Sequence, residues 1–162
     1  MEDRPVLDMQ IDFEDFLKSK ARNIIQNIKG SEMPLWGMMT VHHMIEHLVF
    51  PLNFATGVIH APIFTPEEKL PKNREFLFSR YGIMRGFKMP LLPRDENPPL
   101  MTKSLEEAKE LLFTTLDNFY RAVDDPSFTI ANHPVFGKLN SREWYIFQYK
   151  HFMHHFMQFG LV

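Results

Sequence analysis

Three of the chain's eight histidines stand close together near its end, in the run Lys150-His151-Phe152-Met153-His154-His155-Phe156-Met157-Gln158. Each residue of a helix advances by about 100°, so His151 and His155 lie about 40° apart and one turn from each other. At that spacing two imidazoles can grip one metal ion. His154 falls about 60° to the other side of His151, which makes it a rival for that position. Trp144, Gln148 and Gln158 share the face, and Tyr145, Tyr149, Phe152, Phe156 and Phe159 form an aromatic stripe beside it. Two readings fit this pattern. One is a core-facing helix that happens to be rich in histidine. The other is a pair of metal ligands that needs a third from elsewhere.

A second histidine-rich stretch, Thr40-Val41-His42-His43-Met44-Ile45-Glu46-His47-Leu48, offers that third ligand. On a helical projection His47 lies within the apolar arc that runs from Phe54 through Pro51 and Met44 to Ile45. His43 sits at the edge of that arc, while His42 and Glu46 point away. A histidine inside an apolar stripe needs a hydrogen-bond partner or a metal, because dry, unpaired ring nitrogens are costly. Height is informative here. His47 is about 10 Å from the start of its helix, and His151 and His155 are about 12 and 6 Å from the end of theirs. If the two helices run antiparallel, the three imidazoles come level. Pro51 cannot donate to the carbonyl of His47, so a kink is expected directly after the proposed ligand.

The elements that must position these groups are helices. The first spans about Asp12 to Lys29, capped by Asp12, and buries Phe13, Phe16, Leu17, Ala21, Ile24, Ile25 and Ile28. The second starts near Thr40 and turns Val41, Met44, Ile45, Leu48, Leu52, Ala55 and Ile59 inward. Residues 60–102 carry seven prolines, Pro62, Pro66, Pro71, Pro90, Pro93, Pro98 and Pro99. This crossover can hold only short helices, one of them near Arg74 to Tyr81. A third helix opens at the capping box Ser104 to Glu107, with Leu105, Ala108, Leu112, Thr115, Leu116, Phe119 and Val123 inward. The loop His133-Pro134-Val135-Phe136-Gly137 leads to the last helix, capped by Asn140 or Ser141 and stopped by Gly160. No segment shows strand alternation. The expectation is an all-α four-helix bundle, a single domain over residues 1–162. The long connection lets the third helix run parallel to the second, in an up-down-down-up order that brings the histidines level.

Composition narrows the functions. The 162 residues include no cysteine, which removes thiolate chemistry, disulfides and cysteine-type zinc fingers. A net charge of −2 leaves no basic footprint for nucleic acid. The polar start Met1-Glu2-Asp3-Arg4-Pro5 does not read as a signal peptide. No apolar run approaches the roughly 18 residues that a membrane span needs. A soluble, cytoplasmic protein is expected.

With these elements placed, the chain resembles the DinB/YfiT superfamily of small four-helix-bundle metalloenzymes along nearly its whole length. It looks most like an uncharacterised branch of it. The likeness rests on Trp36-Gly37-Met38-Met39-Thr40 leading to Met44 and His47-Leu48, and on His133-Pro134-Val135-Phe136-Gly137. It rests equally on Trp144 running through Tyr149-Lys150-His151 to His154-His155 and Gln158-Phe159-Gly160. The resemblance implies a metal-binding triad of His47, His151 and His155. His43 is then a spare fourth ligand or a group behind the ligands. Gln148 and Gln158 are candidates to hydrogen-bond the ligand imidazoles, and His133 is a candidate to line the pocket. Zinc or nickel suits an all-imidazole site. The resemblance further implies a transferase that uses a low-molecular-weight thiol, while an open metal position equally suits hydrolysis; a small-molecule substrate is expected, and charge and hydropathy give no role for nucleic acid or membrane. The alternatives are a non-catalytic, stress-associated binding module and a metal-free helical homodimer. Glu143 reads as a helix cap, Trp36 and Trp144 as core anchors, and Arg74, Arg80, Arg85 and Lys88 as a solvated face.

Overall fold

The computed structural model describes residues 4–88 and 96–162. Met1, Glu2 and Asp3 of the polar start, and Pro90 and Pro93 of the crossover, lie outside the described residues. About half of the chain is helical, in five helices, with one small antiparallel sheet among the described residues.

Helix α1 is continuous through Phe13–Asp15, a π-helical stretch Phe16–Lys20 and Ala21–Gln26. Asp12 caps it by accepting from the Asp15 N–H at 3.0 Å. The helix stops short of Lys29 because the Lys29 and Gly30 amides turn instead to the Glu32 carboxylate, each at 2.7 Å. Helix α2 is Val41–Thr56, capped by Thr40 and closed by Gly57 at φ 77°. It continues through Pro51, which is buried within it. The crossover holds a 3₁₀ turn, Glu67–Lys69, and then helix α3, Leu70–Phe78. That helix begins four residues before the expected Arg74, because Pro71 at its first turn has no amide that a helix would miss there. Helix α4 is Leu105–Val123 and helix α5 is Ser141–Gln158. Only half of the expected Ser104 box forms: Ser104 accepts from Glu107 N–H at 3.1 Å, while the Glu107 carboxylate reaches past it to the Lys103 N–H at 2.9 Å. The Asn140 box is complete, with Glu143 accepting from the Asn140 N–H.

The expectation of an all-α chain is corrected by a hairpin. Strand β1, Ala131–His133, pairs antiparallel with β2, Gly137–Leu139, in the register Ala131↔Leu139, Asn132↔Lys138, His133↔Gly137. Strands of three residues are too short for alternation to show in sequence. Gly137 sits at φ 78°, a left-handed conformation that closes the turn without a Cβ penalty.

Helix α5 is the centre of the molecule. It is buried without interruption from Glu143 to Phe152 and touches α1, α2, α3 and β2. Helices α2 and α4 form the most extensive helix pair. Helix α3 is tied to α5 by Lys150, whose fully buried Nζ donates to the carbonyls of Phe76 (2.6 Å), Ser79 (2.8 Å) and Tyr81 (2.7 Å). Three donors thus meet three acceptors at the carbonyl end of α3, where a cation is also favoured by the helix dipole. Arg74 of α3 pairs with the buried Glu143 and donates to the Lys138 carbonyl at 2.7 Å, while 40% of its side chain stays exposed to solvent.

Candidate metal centre

His47 on α2 and His151 and His155 on α5 converge, each offering one ring nitrogen, with those nitrogens all within 4.8 Å of one another. The Nε2 atoms of His47 and His151 are 3.0 Å apart, and those of His155 and His151 are 3.2 Å apart. An ion bound at 2.0–2.1 Å from each nitrogen needs neighbouring ligands about 3.0–3.4 Å apart. Two of the three separations meet that spacing, and the group could hold a divalent ion. His151 and His155 are each 6% exposed, and His47 is half-buried.

Burial sets their charge. It lowers His47 to about 4, with the charge on His154 adding to the effect. It holds His151 and His155 well below the ordinary imidazole value, each further depressed by its histidine neighbours. All three are neutral at pH 7, the form that ligates a metal.

The tautomer of His155 is fixed from behind. Gln158 Nε2 donates to the Trp36 carbonyl at 3.1 Å, so its Oε1 faces His155 Nδ1, 2.8 Å away, and must accept from it. The proton is then on Nδ1, and Nε2 presents its lone pair to the centre.

The triad opens into a cavity of about 210 Å³. Phe50, Phe147 and Met39 supply apolar wall from the helices and the turn before α2, with Glu46 and His43 beside them. The other wall is the crossover, through Ile83, Phe87 and Lys88 on its outward run and Asn97, Pro99 and Met101 on its return. Asn97 Nδ2 donates to the Met38 carbonyl at 3.0 Å, which fastens the two walls together.

The remaining candidates separate clearly. His43 lines the cavity, its Nδ1 2.6 Å from Thr40 Oγ1, and stands outside the triad. His154 is not the rival its position suggested: its Nδ1 lies 3.2 Å from the Ile83 carbonyl, and its ring packs edge-on to Trp36 at 5.8 Å. His133 is fully buried and touches the cavity. Its Nδ1 accepts from the Val135 and Phe136 amides at 3.1 and 3.3 Å, and burial lowers it to about 3. Gln148 is fully buried, and neither end of its amide has a hydrogen-bond partner.

Two groups carry more than the helical projection gave them. Glu46, expected to point away, is 4% exposed and lines the cavity. Its carboxylate accepts from the amides of Met101 (2.9 Å) and Thr102 (2.8 Å) and from Thr102 Oγ1 at 2.6 Å. Burial alone would raise its pKa, but these bonds outweigh it and hold the carboxyl below its usual range. The crossover returns over that face of α2 and buries it, which a projection of α2 alone could not register. Trp36, expected as a core anchor, is instead a half-buried wall of the cavity, covered by the Arg85 guanidinium at 4.3 Å from its ring centroid. Trp144 is fully buried, as a core anchor should be.

Residues 82–160 are similar to a family described as protein of unknown function (DUF1569). The match takes in 79 of 162 residues, just under half of the chain, and includes His151 and His155 but not His47. No curated protein and no solved structure matches the chain.

Proposed function

We propose that this protein is a metal-dependent enzyme that acts on a small molecule, by hydrolysis or by transfer involving a low-molecular-weight thiol. The observation that carries the reading is the convergence of His47, His151 and His155 beside a cavity able to admit a ligand. These three residues would hold the ion. Zinc or nickel is the natural choice for three neutral imidazoles, and either would lower the pKa of a bound water or thiol. Around it, Gln158 orients His155, the aromatic wall keeps bulk water away, and the crossover limits what can enter.

The fold we infer is a four-helix bundle in up-down-down-up order, of the DinB/YfiT kind, with α3 and the hairpin as additions to it. Several contacts support this order. Arg22 meets Asp117 and Lys18 meets Asp124, both at 2.8 Å, while Lys109 Nζ reaches the Ile28 carbonyl at 2.6 Å, so α1 and α4 oppose each other. Glu46 holds Met101 and Thr102, which puts the starts of α2 and α4 side by side. Gln158, at the end of α5, bonds Trp36 just before α2.

A second reading has its own support. The direct imidazole contacts at 3.0 and 3.2 Å are also what a metal-free, hydrogen-bonded helix interface would use. Elemental analysis of tag-free protein separates the two. About one zinc or nickel per chain is expected, lost in both His47→Ala and His155→Ala. An unaltered wild type that takes up no ion even after incubation with zinc would leave only the metal-free reading.

A further inference from the structure

The cavity beside the triad has a lining unlike the rest of the interior. Elsewhere the core is packed largely from leucine, isoleucine, valine and phenylalanine. Among the described residues of the cavity, Ile83 is the one branched aliphatic side chain. The apolar wall is made largely by the rings of Trp36, Phe50, Phe87 and Phe147 and by methionines such as Met38 and Met101. Rings and thioethers are the groups that tell an aromatic guest from a saturated one. Ring pairs meet edge-on or offset, and sulfur favours a ring edge, so neither gain is open to an aliphatic molecule.

Apolar walls that face each other gain by closing, because closure takes their surface out of water. Here main-chain hydrogen bonds hold the lining in place at three points. Gln158 donates to the Trp36 carbonyl at 3.1 Å, Asn97 donates to the Met38 carbonyl at 3.0 Å, and the Glu46 carboxylate accepts from the Met101 amide at 2.9 Å. Size then limits the occupant. A dry apolar cavity of about 150 Å³ takes up benzene, and this one measures about 210 Å³, enough for one ring and a substituent of a few atoms. Depth sets its orientation. His151 and His155 are buried, whereas Met38, Phe87 and Met101 are exposed at the mouth, so a guest meets apolar groups first and imidazoles last. Charge is matched within the lining. The Glu46 carboxylate is taken up by Met101 and Thr102, and the exposed Lys88 and Glu96 are of opposite sign.

We propose that the ligand of this cavity is a neutral molecule with a single aromatic ring, its ring against the wall of Trp36, Phe50 and Phe87 and a small polar substituent turned to the triad. As the substrate class of an enzyme, this rests on the function proposed above, whereas uptake of the ring does not need the ion. A hydroxyl, thiol or ester group on the ring is the part that reaches the imidazoles. The ring itself stays in the apolar part of the cavity, where the methionines can adjust to its substituents.

Binding is measured on metal-free wild type through the ¹³C-methyl signals of its methionines, with phenol and with cyclohexanol, which share a ring size and a hydroxyl. Phenol is expected to shift the Met38 and Met101 methyls and to bind about tenfold more tightly. That ratio corresponds to about 1.4 kcal/mol, the size of one ring–ring pair with one sulfur–ring contact. Phe50→Leu keeps an apolar side chain and removes the ring, and should cut the preference to about threefold. Benzoate, the same ring with a charge, should bind about tenfold more weakly than phenol, since no free cation in the cavity receives it. Equal binding of phenol and cyclohexanol overturns the aromatic preference, and equal binding of benzoate overturns the neutral one. A ratio unchanged in folded Phe50→Leu overturns the placing of the ring on this wall. Zinc uptake, read separately by elemental analysis, keeps this inference apart from the enzymatic reading. Zinc without phenol binding overturns the ligand and leaves the metal centre, while phenol without zinc supports the ligand and overturns the enzyme. Should Phe50→Leu not fold, the wild-type comparison decides.

Discussion

Burial is the largest influence on His47, His133, His151 and His155. His47 and His133 are lowered to about 4 and about 3 by desolvation, and His151 and His155 follow the same direction. His133 permits a clean test, because its Nδ1 has a fixed structural duty at the hairpin. Its folded-state value lies below the 6.5 of an unfolded histidine, so the unfolded chain binds the extra proton first. Stability from this group is complete above about pH 6.5 and falls by about 1.4 kcal/mol per pH unit as the pH drops toward about 3. His133→Asn keeps an oxygen where Nδ1 accepts but cannot titrate. Urea unfolding between pH 7 and 5 should therefore be less steeply pH-dependent in the variant by about that slope. Equal slopes would mean that His133 is protonated in the folded state. At this scale the triad was legible in the sequence, because i, i+4 spacing and an apolar arc are local properties. The burial of Glu46 was not, because it depends on Met101 and Thr102, more than fifty residues away.

Helix α5 explains why a histidine-rich segment reads ambiguously. It is surrounded, so polar and apolar residues alike are buried on it, and no single face stands out. Each buried polar group must then be matched individually, and Lys150 shows how that is done. Burial pulls its ammonium down to about 8, still charged at neutral pH, and the three carbonyls at the end of α3 take its three protons. Lys150→Met should cost about 3 kcal/mol in urea unfolding, since it leaves those carbonyls without their donor. Zinc uptake should stay at the wild-type stoichiometry, because Lys150 supports α3 and not the triad. Loss of the ion in a folded Lys150→Met protein would place α3 in control of the site. The long helices and their caps could be read from periodicity and from Asp12, Thr40, Ser104 and Asn140. The hairpin could not, since its three-residue strands are held by the His133 ring and by crossover bonds such as Phe64 N–H to the Pro134 carbonyl at 2.8 Å.

For the whole molecule, the decisive feature is that the triad joins helices far apart in the chain: His47 and His151 are 104 residues apart, and yet their rings touch. An ion held by all three imidazoles would therefore act as a cross-link between α2 and α5, present in the folded state and absent in the unfolded chain, where the ligands are scattered. At a free ion concentration 100 times the dissociation constant, such a ligand stabilises by about 2.7 kcal/mol. In a domain of this length that corresponds to a rise of about 5–10 °C in Tm. Zinc titrated into metal-free wild type under differential scanning calorimetry should give this rise, and His47→Ala should give none while still unfolding cooperatively. The shift must also grow with the logarithm of zinc concentration, which distinguishes binding to the native state from a fixed change in the protein. A zinc-induced rise that persists in His47→Ala would locate the ion on α5 alone, with His154 or a surface carboxylate in place of the α2 ligand. That outcome would separate the cavity from the metal and remove the main physical reason for reading this protein as an enzyme.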